Sequence, residues 1–223
     1  MRRKVIPELL DDDQGTPAEI AASLQDLRAI NERFGGSATT WEMLRRVALP
    51  SRRLSLLEVA AGAGDVPLAA QRRFAEDGVE LQVTLLDRMA SHLNGGPAAA
   101  VCGDALQLPF RDGAFDVVSC GLFAHHLEPE ELRQFVREAL RVCACAVLIN
   151  DLIRSRLHLW MVYAALPLFR SRLTRHDAPA SVRRAYTVEE MRDMVQDIPG
   201  MRIEITRHRL YRMGVLLWKG SGS

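Results

Sequence analysis

Apolar positions recur every three or four residues over the first fifty positions and then change to short continuous runs. Residues 17–34, PAEIAASLQDLRAINERF, put Ile20, Leu24, Leu27 and Ile30 on one face, with Thr16 as cap and Pro17 at the first helical position, which predicts an amphipathic helix. Gly35 and Gly36 end it, and Ser37 caps a second predicted helix, ATTWEMLRRVAL, that stops before Pro50. From Leu54 the runs LSLLEVA, LQVTLLD (81–87), AAAVCG (98–103), FDVVSCG (115–121) and CACAVLIND (143–151) alternate with helical stretches at about 66–77 and at Pro129–Val142. Strands this uniformly apolar, alternating with helices, predict a parallel sheet covered on both faces. A helix over Thr187–Gln196 precedes MRIEITRHRLYRMGVLLWK, which reads as two adjacent strands closing the sheet. The pattern divides the chain into an N-terminal helical cap (1–50), a sheet domain (51–219) and a flexible GSGS tail (220–223).

Composition narrows the class. The 223 residues suit one domain with an extension, and 48% hydrophobic with 26% charged residues is ordinary globular usage. Lys and Arg number 29 against 28 Asp and Glu, a net charge of +1, so no global field points to nucleic acid. Cys102, Cys120, Cys143 and Cys145 make neither a C-x-x-C pair nor a ligand spacing with histidine; buried free thiols and no metal are expected. The N-terminus MRRKVIPELLDDDQ lacks the apolar stretch of a signal peptide, and the near-apolar stretch 157–169 is too short to span a bilayer, so a cytoplasmic protein is expected.

The chemistry begins after the first predicted strand. Leu57-Glu58-Val59-Ala60-Ala61-Gly62-Ala63-Gly64-Asp65 runs from strand through a glycine turn into a helix, the usual place of a nucleotide site in an open α/β sheet, although a purely structural turn needs such glycines too. Pro67 stands where a dinucleotide-binding motif has its third glycine, and Glu58 and Asp65 would oppose a pyrophosphate at that helix N-terminus. The same carboxylates suit a ligand carrying a positive centre and an ammonium group, while Asp65 can alternatively serve only as a helix cap. Asp87 ends the next strand near the ~20-residue spacing at which an acidic residue meets ribose hydroxyls. Asp104, in Gly103-Asp104-Ala105, can accept from an adenine amine, and carboxylates ending three successive strands converge on one crevice.

In this order and spacing, LLEVAAGAGD, VTLLD, GDALQLPFRDGAFDVV and SCGLFAHHLEPEEL resemble the class I S-adenosylmethionine-dependent methyltransferases over roughly Leu54 to Asp151. The resemblance implies a Rossmann-like, seven-stranded, mostly parallel sheet flanked by helices, with the last strand antiparallel. It implies that Glu58, Gly62, Gly64 and Asp65, with Ala60 in the same turn, cradle the methionine part of S-adenosylmethionine, and that Asp87 holds the ribose. Asp104 and Ala105 would meet the adenine, Arg88 and Leu106 would flank it, and Ser119 and Cys120 would lie near the methionine end. Ala61 departs from the Gly or Cys common in the family. Within the family the likeness is to the small-molecule branch that includes ubiquinone- and menaquinone-biosynthesis enzymes and methyltransferases of phenolic natural products.

Methyl transfer is an in-line displacement, so the protein chiefly aligns the acceptor and excludes water; a hydroxyl acceptor also benefits from a base. Candidate bases are His125, His126, His176 and Tyr186, with packing as the alternative for the first two and a loop ion pair with Asp177 as the alternative for His176. The insertion at about 152–186, with a helix read over 156–170, is expected to form a lid with the N-terminal helices. Leu157, Trp160, Met161 and Tyr163 would line an apolar acceptor site, meet a membrane surface, or pack in a core or dimer face, and Arg183 or Arg184 would bind an acceptor carboxylate. The expected activity is methylation of a small aromatic, phenolic or polyketide-like acceptor, on oxygen rather than carbon, by a monomer or homodimer. The alternatives are a non-catalytic cofactor-binding accessory protein and a nicotinamide-dependent oxidoreductase.

Overall fold

A computed structural model describes residues 1–48, 53–93, 98–196, 198 and 201–219. The expected break near residue 50 and the 220–223 tail lie outside these residues. The elements run α1 (Pro17–Arg33), α2 (Gly36–Ala48), β1 (Arg53–Val59), α3 (Asp65–Glu76), β2 (Glu80–Asp87), β3 (Ala99–Cys102), β4 (Phe115–Gly121), α4 (Pro129–Val142), β5 (Cys143–Leu152), α5 (Arg156–Ala165), α6 (Arg172–Arg184), α7 (Val188–Val195), β6 (Met201–His208) and β7 (Arg212–Lys219). The sheet order is β3-β2-β1-β4-β5-β7-β6, with β7 antiparallel to both neighbours and the other pairings parallel. This is the Rossmann-like, seven-stranded, mostly parallel sheet expected from the strand runs and the resemblance.

Local chemistry fixes the helix starts. Thr16 with Glu19, Glu128 with Glu131 and Thr187 with Glu190 form reciprocal capping boxes at α1, α4 and α7, and Pro17 and Pro129 take first-turn positions where no N–H is required. Successive β1 residues point to opposite faces, so Leu56 joins Met43, Leu44, Val47 and Phe74 on one side, while Leu57 joins Leu132, Phe135 and Val136 on the other. Each of these buried apolar side chains contributes about 1.5–3 kcal/mol. The second helix of the N-terminal cap therefore covers one face of the sheet, opposite α4 and α7.

The lid region differs from the single helix read over 156–170. Helix α5 stops at Ala165, a short 3-10 turn containing Pro167 follows, and a separate helix α6 occupies the polar stretch after Ser171. Polar composition disguised α6, because its buried face includes Thr174 and Asp177 beside Leu173, Ala180 and Val182. Asp177 accepts the backbone N–H groups of Leu9 and Leu10, and Asp26 of α1 accepts those of Arg170 and Ser171. Ser23 and Thr174 share a buried hydroxyl hydrogen bond between α1 and α6. The N-terminal segment, α1, α5 and α6 thus form one hydrogen-bonded roof over the carboxyl ends of the strands. No helix among the described residues is long and apolar enough to cross a membrane.

Candidate active site

The strand order reverses between β1 and β4, and in open α/β sheets that reversal opens a crevice at the carboxyl ends of the strands. A cavity of about 610 Å³ occupies it, running from the β1–α3 turn and Asp104 to the underside of the roof. Glu58, Ala60, Gly62, Gly64, Asp65, Asp87, Arg88, Asp104, Ala105 and Leu106 all line it, so the sequence candidates from three strand ends do meet on one cavity.

The β1–α3 turn holds its shape through left-handed backbone at Ala60 (φ 53°), Gly62 (φ 52°) and Gly64 (φ 72°). A Cβ on Gly64 would stand 2.6 Å from Leu85 Cδ1, whereas one on Gly62 would meet nothing within 4 Å and would project into open space. Asp87 ties the turn to β2, accepting the Gly62 N–H at 2.8 Å on one carboxylate oxygen and the Met89 N–H at 2.9 Å on the other. Each oxygen retains a lone pair, enough for a vicinal diol. Asp104 accepts the Leu106 N–H at 2.8 Å, which shapes the turn that presents Ala105 and Leu106. Arg88 reaches the Asp11 carbonyl at 3.4 Å, on the roof. Asp65 lies 3.7 Å from Arg28 of α1, and burial raises its pKa despite that neighbour.

Ser119 and Cys120 depart from expectation. Both belong to β4, both are buried, and neither lines the cavity. Register explains Ser119: it pairs with Glu58 across β1 and β4 and donates its hydroxyl to the Glu58 carboxylate. Cys120 is an inert buried thiol, held well above its usual pKa by desolvation and then by the Glu58 and Asp151 carboxylates.

Burial raises the Glu58 carboxyl to about 7, with the Ser119 hydroxyl and the Gly121 N–H opposing the shift. The native state therefore retains a proton that the unfolded chain gives up near 4.5, so this group's contribution to stability falls as pH rises from about 4.5 through about 7. A cationic ligand in the cavity reverses that shift by favouring the carboxylate. Binding of an ammonium- or sulfonium-bearing ligand near pH 6 should accordingly release close to one proton, read by calorimetry in two buffers of different ionisation enthalpy. Glu58→Gln should abolish the release; a release that persists in that variant assigns the proton elsewhere.

At the opposite end, His125 and His126 line the cavity on the turn after β4. Asp151 at the end of β5 holds His125 twice, accepting its backbone N–H at 2.9 Å and its ring Nδ1–H at 2.6 Å. Burial disfavours the imidazolium, but Asp151 and Glu8 outweigh it and raise the His125 pKa to about 10. His126 Nδ1 lies 3.0 Å from the Asp11 carboxylate, and Arg184 donates to the His126 carbonyl and lines the cavity with Met161.

The other acceptor candidates stand elsewhere. His176 pairs with Asp177 at 2.8 Å, is nearly half exposed and is absent from the cavity wall, as the ion-pair alternative has it. Tyr186 donates its hydroxyl to the Leu127 carbonyl beneath the Arg3 guanidinium, and burial pushes its pKa up to about 12, so it is a structural tie rather than a base. Trp160 is 73% exposed and Tyr163 turns to Arg183; of the three, Met161 lines the cavity, itself 38% exposed.

Sequence reasoning missed Glu8, Asp11, Asp151, Asn150 and Arg212, all at this end of the site. Arg212 is 1% exposed, lines the cavity, and donates to Asn31 at 3.0 Å while its Nη1 has no partner among the described residues. Burial lowers its pKa to about 10, which leaves it cationic at neutral pH.

Residues 56–145 match the model of a family described as a methyltransferase domain. The uncharacterized methyltransferase YcgJ of Bacillus subtilis is 32% identical over 91 residues, covering 39% of this chain and 35% of that protein; the match thus spans about a third of the relative's length. Among solved structures, the plantazolicin methyltransferase BpumL, in complex with a pentazolic desmethylPZN analog and S-adenosylhomocysteine (SAH), superposes with a TM-score of 0.71 at 12% identity, covering 96% of this chain and 95% of that one. A SAM-dependent methyltransferase from Aquifex aeolicus gives 0.58 at 17% identity over 80% of this chain and 88% of that one. Magnesium protoporphyrin IX methyltransferase from Synechocystis PCC 6803, with bound SAH, gives 0.55 at 15% identity over 86% and 87%. At these identities the superpositions establish the fold.

Proposed function

We propose that this chain, which carries the class I methyltransferase fold and a methyltransferase-domain match over 56–145, transfers the methyl group of S-adenosylmethionine to an oxygen of a small phenolic or polyketide-like acceptor. The observation that carries the reading is the single cavity that joins Glu58, Asp87 and Asp104 to the His125–His126 wall. The residues fit the cofactor: Gly62 leaves room a Cβ would fill, Asp87 keeps a lone pair on each oxygen for the ribose hydroxyls, and Glu58 favours a cationic methionine end. S-adenosylmethionine supplies an electrophilic methyl group on sulfur. The roof covers this part of the cavity, and Met161 and Phe169 give the acceptor an apolar surface.

Proton removal from the acceptor hydroxyl falls to His126, since His125 beside Asp151 and Glu8 already carries its proton at neutral pH and His176 and Tyr186 lie outside the cavity. Buried Arg212, with an unpartnered Nη1, favours an acceptor bearing an acidic oxygen, which phenols and polyketide enols both have. Arg184 stands on the same wall, and the cytoplasm is the proposed place of work. The test is turnover: the purified chain with S-adenosylmethionine and a panel of phenols, quinols and polyketide enols should yield S-adenosylhomocysteine and methyl ether in equal amounts. Methylation at carbon alone would overturn the oxygen assignment. Cofactor binding without turnover on any acceptor would favour an accessory, non-catalytic role.

A further inference from the structure

We propose that Glu8, His125 and His126 form a binding site for one divalent d-block cation, zinc by its geometry, on the acceptor wall of the cavity. The three side chains can each direct one ligand atom so that all lie within 4.8 Å of one another. His125 Nε2 stands 3.5 Å and His126 Nε2 3.7 Å from the same Glu8 oxygen. Those separations exceed a charge-assisted hydrogen bond, which closes to about 2.7–2.9 Å. They are close to the ~3.3 Å edge between two ligands held at about 2.0–2.1 Å by a tetrahedral zinc ion.

Two further observations point to a ligand. His125 is buried, and its Nε2 has no hydrogen-bond partner among the described residues, a costly arrangement for a closed polar atom. Both rings are also oriented from behind: Nδ1 of His125 faces Asp151 at 2.6 Å and Nδ1 of His126 faces Asp11 at 3.0 Å. A carboxylate on the far nitrogen is the arrangement that fixes a metal-binding histidine; the ion displaces the Nε2 proton of His125 and takes the lone pair that this frees. The Ser181 hydroxyl donates to the Glu8 oxygen at 2.8 Å and steadies the third ligand. No metal spacing is legible along the chain because Glu8 is distant from the histidine pair and reaches them only when the N-terminal segment lies across the strand ends.

Two imidazoles and one carboxylate leave a fourth coordination position, and because all three residues line the cavity that position faces it. An oxygen of the acceptor is the ligand class it would take, a step that rests on the methyltransferase reading. Held there, the hydroxyl loses its proton more readily. Its oxygen lone pair then forms the O–C bond to the methyl as the S–C bond breaks with its electrons going to sulfur, giving methyl ether, S-adenosylhomocysteine and one proton, which goes to solvent because both imidazoles then serve as ligands.

The test uses the full chain, stripped with chelator, shown by circular dichroism to be folded, and titrated with Co2+ followed by visible d–d absorption. One saturable equivalent with the strong bands of a low-coordinate site, displaced by one equivalent of Zn2+, is expected. Glu8→Gln and His126→Gln should each weaken Co2+ binding at least tenfold, while His176→Gln and His208→Gln should leave it unchanged. Glu8→Gln keeps a partner for Ser181, which protects the fold, and His125 is left intact because it is buried. Absence of saturable uptake by the folded chain, or uptake insensitive to Glu8→Gln, overturns the proposal. S-adenosylmethionine affinity measured on the same samples separates the two readings, since the cofactor end can bind or fail independently of Co2+.

Discussion

Asp87→Ala should weaken S-adenosylmethionine binding by about 1–3 kcal/mol, or roughly 5- to 150-fold, in a protein that remains folded. Two losses add. The charge-assisted bonds to the ribose disappear, and so does the carboxylate that binds the Gly62 and Met89 N–H groups and ties the glycine turn to the end of β2. Asp87→Asn separates them in part, because its one amide oxygen can still accept one of the Gly62 and Met89 N–H groups while its NH2 faces the other, and it carries no charge. Titration calorimetry should rank affinity as wild type above Asn above Ala. Equal affinity in all three would remove Asp87 from the site.

Gly64→Ala should destabilise the fold by about 2–4 kcal/mol, combining left-handed backbone strain with overpacking against Leu85. The backbone at Gly64 has φ 72°, and the new Cβ would lie 2.6 Å from Leu85 Cδ1, whose residue is buried against the α3 face of the sheet. Gly62→Ala is the informative comparison. Its φ of 52° brings strain of the same kind, but the Cβ meets nothing, so the smaller stability loss should accompany a larger loss of cofactor affinity. Chemical denaturation and calorimetry on the pair should therefore give opposite rankings for stability and binding. Parallel losses in both variants would mean that Gly62 does not face the ligand.

The sheet and the meeting of the glycine turn with the strand-end carboxylates on one cavity were legible because their signals are local. Near-continuous apolar runs mark strands covered on both faces, and the carboxylates at Glu58, Asp87 and Asp104 sit at strand ends that parallel topology brings together. Ser119 and Cys120 belong to the same local motif, yet pairing register turns Ser119 to Glu58 and leaves both off the cavity wall. The histidine end of the cavity was obscure for a different reason. It is assembled from Glu8 and Asp11 on the N-terminal segment, the histidines after β4, Asp151 on β5 and Arg212 on β7, and no spacing along the chain links them. Helix α6 was hidden too: its inward Thr174 and Asp177 anchor α1 and the N-terminal segment by hydrogen bonds and interrupt the apolar positions of its buried face. Trp160 and Tyr163 show the converse error, since aromatic residues on α5 suggested a lining while that helix turns them outward.

Calorimetric titration of the purified chain with S-adenosylmethionine and S-adenosylhomocysteine, with NAD as control, decides whether the cavity takes this cofactor. One saturable site for each of the first two is expected, with no heat of binding for NAD, whose pyrophosphate would face Glu58 and Asp65. Saturable NAD binding, or no binding of either S-adenosyl ligand by the folded protein, would contradict the cofactor assignment.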